Sequence, residues 1–220
     1  MKYRTVLADP PWRYGDALRM DPLVERSSMD HYDTMTIDDI CALADANTMP
    51  VGGNKLELRL TIAGFEIDHP AFLFLWVTSS FLLSGDGLRV CHEWGFEPKQ
   101  LITWVKTKKD WTDEIERYML SEPGSRIHAQ LRDPNKGLQL GMGRYTRGVT
   151  EHLILATRGK CTALVKSRSV RNVIFAPRRE HSRKPDKQYE LIEELVPGPY
   201  LELFATHQQP GWTAWGKELG

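Results

Sequence analysis

Thr5-Val6-Leu7-Ala8-Asp9-Pro10-Pro11-Trp12 sets a strand-sized apolar run against a carboxylate, two prolines and an aromatic ring. The run 5–8 is uninterrupted, as in a strand covered on both faces of a parallel sheet. Ligands of such sheets bind beyond the carboxyl ends of the strands, and Asp9 stands at one. Proline after Asp9 keeps that residue extended. Because Pro10-Pro11 can continue neither a ladder nor a helix, the Pro10 carbonyl is expected to point outward beside the carboxylate. Trp12 is expected to offer a face on which a purine stacks. A strand that ends in a proline turn with an anchoring Trp is the plainer alternative.

A carboxylate beside a fixed carbonyl suits one chemistry well. The exocyclic amine of a nucleobase has its lone pair delocalised into the ring. It becomes a methyl acceptor when oxygen acceptors hold its N–H groups and help the nitrogen pyramidalise. The octapeptide therefore reads as the acceptor pocket of an amino methyltransferase.

Further along, apolar runs at 72–77, 101–105, 153–156, 172–175 and 200–204 read as more buried strands. Helices are expected between them: one opened by Thr36 with Asp39 three residues later, one over 79–94, and one over 185–196 that ends at Pro197-Gly198. This alternation predicts an α/β chain with a mostly parallel, doubly wound sheet, folded as one domain over 1–220. Two segments break the rhythm. Residues 49–70 carry Gly52-Gly53 and alternating Leu56, Leu58, Leu60 and Ile62, as in an inserted hairpin or edge strand. Residues 111–143 are polar and long, where target recognition is expected.

Of the 220 residues 41% are apolar, enough to bury a full core, and 29 Lys and Arg balance 29 Asp and Glu. No global basic field holds a polyanion, so nucleic-acid contacts must be local. Between 158 and 184, Arg158, Lys160, Lys166, Arg168, Arg171, Arg178, Arg179, Arg183 and Lys184 face only Glu180. With Lys106, Lys108 and Lys109 they are expected to form a phosphate-contacting rim, the alternative being a solvated face. Cys41, Cys91 and Cys161 lack a CxxC pair, which argues against disulfides and zinc and for a reducing, cytoplasmic setting; no metal is expected. A strand so near Met1 leaves no room for a signal peptide, and no apolar run is long enough for a bilayer. Gly141-Met142-Gly143 lacks the strand and third glycine of a dinucleotide loop.

With Asp9-Pro10-Pro11-Trp12 stand His31-Tyr32-Asp33-Thr34-Met35, Trp104-Val105-Lys106-Thr107, Glu151-His152, His181-Ser182-Arg183-Lys184-Pro185-Asp186, Glu202-Leu203-Phe204 and Trp215-Gly216. In this order the chain resembles the DPPW-type N6-adenine methyltransferases, the family of the eukaryotic mRNA N6-adenosine methyltransferase catalytic subunit, and the likeness runs from Asp9 to Glu218. The resemblance implies a Rossmann-like S-adenosylmethionine-dependent fold with permuted motif order. It implies Asp9, Pro10, Pro11 and Trp12 as catalytic residues. Asp9, Lys184, Phe204, Gly216 and Glu218 would bind the cofactor, and Tyr32, Lys106 and Glu151 the substrate. The expected substrate is adenine in DNA, with RNA as the runner-up, and a homo- or heterodimer stays open. Two departures, Thr206 and Lys217, stand where the family carries arginine and asparagine, which keeps a non-catalytic binding partner as a third reading.

Overall fold

The computed structural model describes residues 1–14, 34–50, 56–109, 111, 137–141, 145–179, 183–217 and 219. The chain forms β1 (Tyr3–Ala8), α1 (Ile37–Cys41), β2 (Ala44–Pro50), β3 (Leu56–Ile62), β4 (Phe65–Val77), α2 (Ser79–Leu83), α3 (Asp86–Glu93), β5 (Glu97–Thr107), β6 (Thr150–Arg158), a 3-10 turn (Thr162–Leu164), β7 (Val173–Pro177), α4 (Lys187–Leu195), β8 (Tyr200–Leu203) and β9 (Trp212–Trp215). Among the described residues the strands make one sheet, ordered β7-β5-β6-β4-β1-β8-β9, with β3 and then β2 hung on β4.

Side chains alternate across this sheet with period two. Val6, Leu73, Leu75, Ile154 and Leu201 pack on one face with Ile40, Phe81, Val90 and Trp94 from the α1–α3 side. Leu7, Phe74, Trp76, Trp104 and Leu153 pack on the other with Tyr189, Ile192 and Val196 of the α4 side. Each such fully buried side chain contributes about 1.5–3 kcal/mol. Polar tips are tied down as well: Trp76 Nε1 donates to Gln188 Oε1 at 2.7 Å, which fixes the start of α4 over the sheet.

All six expected strands are present, and Thr36 and Asp39 form the expected reciprocal cap of α1. Several details differ. β6 runs antiparallel to both β4 and β5, although its apolar run predicts a parallel strand; the main path otherwise pairs in parallel. The helix expected over 79–94 is two, broken at Gly85, whose φ of +86° ends one helix and starts the next. The hairpin expected within 49–70 begins earlier, at Ala44, and β4 absorbs the stretch from Phe65. β9 was not expected as a strand. Most of 111–143 lies outside the described residues.

Candidate active site at the carboxyl edge of the sheet

β1, β4, β5, β7, β8 and β9 all end at one edge, and the antiparallel β6 begins there. Asp9 follows β1, Thr78 follows β4, Lys106 closes β5, Glu151 opens β6, Lys184 precedes α4, Phe204 follows β8 and Gly216 follows β9. Residues from distant parts of the chain thus converge, because strand ends are where a helix-covered sheet can place charge outside its core.

Lys184 is the hub. Its Nζ donates to Asp9 Oδ2 at 2.7 Å and lies 3.4 Å from Glu151 Oε2, while Lys106 Nζ pairs with Glu151 Oε1. Burial disfavours the charged ammonium of Lys184, but Asp9 and Glu151 together outweigh it and its pKa is raised. Burial likewise opposes the Glu151 carboxylate, and Lys184 and Lys106 reverse that effect, so its pKa falls below the ordinary value. For Asp9 burial is the larger influence and the pKa rises, against the pull of Lys184. Asp9 nevertheless keeps 31% of its side-chain surface exposed, and Lys184 Nζ at 2.7 Å is the partner that favours its ionised form.

The DPPW corner is held from several sides. Trp12 N–H donates to the Pro10 carbonyl at 2.8 Å, and Met35 N–H donates to the Pro11 carbonyl at 2.8 Å. One lone pair of the Pro10 oxygen is therefore engaged by the corner itself, leaving the second for a ligand. Trp12 is buried: its Nε1 donates to the Trp76 carbonyl at 3.0 Å, and Phe81 stacks on it at 4.9 Å and 25°. The open stacking face expected of Trp12 is thus covered on one side, and in this conformation the ring anchors the corner. Sequence reading missed Tyr14, which packs on Phe81 and donates to Thr78 Oγ1 at 3.3 Å beside that corner.

At the β8 end, Glu202 is buried, and the Tyr189 hydroxyl stands 3.0 Å from both of its carboxylate oxygens. Burial pushes the Glu202 pKa up to about 7; the Tyr189 hydrogen bond lowers it and nearby Asp9 raises it. Tyr189 also meets His207 Nε2 at 3.4 Å, and His207 Nδ1 meets Thr206 Oγ1 at 3.3 Å. Neither Glu202 nor Tyr189 was singled out as a site residue from sequence. Phe204 takes the left-handed region (φ +62°), unusual for an aromatic residue. Next to it, Ala205 N–H donates to the Trp215 carbonyl at 3.0 Å. A Cβ on Gly216 would come within 2.2 Å of the Ala205 carbonyl oxygen, so only glycine fits this close crossing.

Tyr32 and Glu218 lie outside the described residues. The expected basic rim is only partly a rim: Arg158 is buried, and Arg179 and Arg183 pair with Asp186. Among the described residues no group of His, Cys, Asp and Glu is placed to hold a metal ion.

The sequence pattern of the MT-A70 family matches residues 3–120 and 126–218. The chain belongs to the MT-A70 family. It is 26% identical over 220 residues to the type II methyltransferase M.MunI of a Mycoplasma species, covering 99% of this chain and 78% of that protein. It is 29% identical over 222 residues to the human N(6)-adenosine-methyltransferase catalytic subunit METTL3, and 28% identical to the Drosophila melanogaster MT-A70-like N(6)-adenosine-methyltransferase. The chain spans only 28% and 27% of the lengths of these two. As an MT-A70 protein it is an adenine-N6 methyltransferase with S-adenosylmethionine as methyl donor. The donor set fits that cofactor: a charged, buried lysine would complement its carboxylate, and the neighbouring carboxylates its positive groups. None of the helices among the described residues is long and apolar enough to cross a membrane.

Proposed function

We propose that this MT-A70 chain methylates the N6 amino group of adenine in DNA. The observation that carries the reading is the Asp9-Pro10 corner at the carboxyl end of β1, where a carboxylate held by Lys184 stands beside a carbonyl with an unused lone pair. The cofactor supplies an electrophilic methyl group. Asp9 and the Pro10 carbonyl accept the two N–H bonds of the target amine, orient its nitrogen and stabilise the positive charge that develops there. Pro11 and Trp12 keep the corner rigid. Lys184 would hold the cofactor carboxylate, with Asp9, Phe204 and Gly216 meeting the rest of it; Glu218, outside the described residues, takes the same role by the family resemblance. Lys106 and Glu151 would line the side that receives the base, and Tyr32, outside the described residues, takes a substrate role by the family resemblance. Extruding an adenine costs a few kcal/mol, less for single strands or mismatches.

DNA is favoured because the chain covers most of M.MunI, a type II methyltransferase. RNA is the second reading, supported by the similarity to N(6)-adenosine-methyltransferases. Thr206 and Lys217, both exposed, are what favour a non-catalytic partner; the intact acceptor corner argues against it. We further take the chain as a single domain with inserts at 49–70 and 111–143, acting in the cytoplasm, as a homo- or heterodimer. The test is transfer of labelled methyl to duplex DNA, single-stranded DNA and RNA, with Asp9→Ala as control and the modified nucleoside identified by mass. N6-methyl-deoxyadenosine that vanishes with Asp9 supports the DNA reading. Product confined to RNA moves the function to the second, and no product with any polymer overturns both.

A further inference from the structure

Away from the Asp9 corner, at the far side of the same edge, an exposed aromatic ring packs with a half-buried one. Phe175 of the edge strand β7 is 43% exposed, and Trp111 stacks on it with ring centroids 5.1 Å apart and planes 16° from parallel. Trp111 N–H donates to the Lys108 carbonyl at 3.2 Å, and Lys108 N–H donates to the Gly137 carbonyl at 2.9 Å. Lys108 and Lys109, which follow β5 just before Trp111, and Arg178, three residues after Phe175, are all exposed. Register joins this surface to the site. Phe175 lies beside Val105 and Ala176 beside Lys106, which pairs with Glu151.

A stacked aromatic pair flanked by cations is what a single nucleic-acid strand uses: bases stack on rings, and phosphates meet Lys and Arg. An apolar protein partner would find three exposed cations in its way. We propose that Trp111 and Phe175 form a stacking platform for nucleotides flanking the target adenine, with Lys108, Lys109 and Arg178 holding their phosphates. This rests on the nucleic-acid substrate of the function proposed above. Four strand spacings of about 4.8 Å separate β7 from β1, so the platform lies about 19 Å from the acceptor corner. At the 3.4 Å rise of a stacked strand that is five to six nucleotides, and fewer if the strand is stretched.

The experiment is direct binding of labelled single-stranded oligonucleotides, as DNA and as RNA, by fluorescence anisotropy. One set carries about eight nucleotides on each side of a central adenine and another carries two. Trp111→Ala and Phe175→Leu are each expected to weaken the long oligonucleotide about tenfold, to leave the short one unchanged, and to keep the thermal shift with S-adenosylmethionine. Lys109→Ala is expected to lower the slope of log affinity against log salt by about one. Unchanged affinity in both aromatic variants overturns the platform, as does equal loss on long and short strands. A lowered melting temperature with unchanged affinity also overturns it, because that is what a mere cover for edge strand β7 gives. Failure of the wild type to bind any strand does the same. Weakened binding in a protein that transfers no methyl group leaves the platform standing and sinks the proposed function instead.

Discussion

Glu151 and Glu202 are the same residue type, point to the same face of one sheet and are both largely removed from water, yet they titrate in opposite directions. Glu151, between Lys106 and Lys184, falls below the ordinary glutamate value; Glu202, facing the hydroxyl of Tyr189, rises to about 7. Two unit charges at ~4 Å interact by up to about 4 kcal/mol near a protein surface, whereas a single hydrogen bond to a charged group nets about 1.5–3 kcal/mol. Two lysines therefore override burial and one phenol does not. The centre of the edge keeps fixed charges that can orient a ligand, and the β8 end keeps a carboxyl that exchanges its proton near neutrality.

The sharpest way to break this contrast is at its charged centre. Asp9→Asn retains the shape of the corner and removes the carboxylate. Loss of one preorganised polar partner lowers turnover by ~10²–10³-fold, and we expect that loss in labelled methyl transfer with the fold intact by circular dichroism. Near-normal turnover would remove Asp9 from the chemistry.

Next in size is Lys184→Met, which leaves Asp9 without its lysine and Glu151 with Lys106 alone. Removing one partner of a buried pair costs about 3–5 kcal/mol, and the partial exposure of Asp9 places the expected loss at about 3 kcal/mol at pH 7. The sign of the pH dependence follows from Glu151. Its pKa is depressed in the folded state, so its contribution is present above the unfolded value near 4.5 and is lost as pH falls through the folded one. Urea unfolding of wild type and variant should therefore converge below about pH 4.5; a gap that stays constant into acid would mean that the lysine acts by packing alone.

At the other end, Glu202→Gln should stabilise in one pH window only. A carboxyl raised from about 4.5 to about 7 favours the folded state fully below the lower value and loses that advantage as pH rises through the upper. Measured at pH 5 and pH 8, the variant should gain on the wild type by up to roughly 3 kcal/mol. A difference independent of pH would show that Glu202 does not change protonation in this range.

Much of the site was readable in the chain because charge cannot be spent inside a helix-covered sheet. Asp9, Lys106, Glu151 and Lys184 stand out against the apolar runs 5–8, 101–105 and 153–156, and folding brings those run ends to one edge. The direction of β6 was not readable, since a strand buried on both faces shows the same apolar run whichever way it points. The break at Gly85 had a signal in Ser84-Gly85-Asp86, a glycine that closes one helix before an acid that opens the next. β9 had little, because Trp212-Thr213-Ala214-Trp215 is short and only half covered. The Tyr189–Glu202 contact joins a helix face to a strand thirteen residues later, and no local spacing announces it.

That contact supplies the smallest and most specific test. Tyr189→Phe keeps the ring, which packs edge-on to Trp212 at 5.3 Å, and removes the hydroxyl that both Glu202 oxygens accept. The lost hydrogen bond costs about 1 kcal/mol, more where Glu202 is ionised than where it is protonated. Burial and Asp9 then act on Glu202 without the one interaction that lowers its pKa, so its midpoint must move above 7. The destabilisation of Tyr189→Phe should accordingly be larger at pH 8 than at pH 5.5, and it should vanish in a Glu202→Gln background if the two residues act only through each other. Equal loss at both pH values would place the hydroxyl's role with His207, 3.4 Å away, and would show that Tyr189 does not set the Glu202 midpoint.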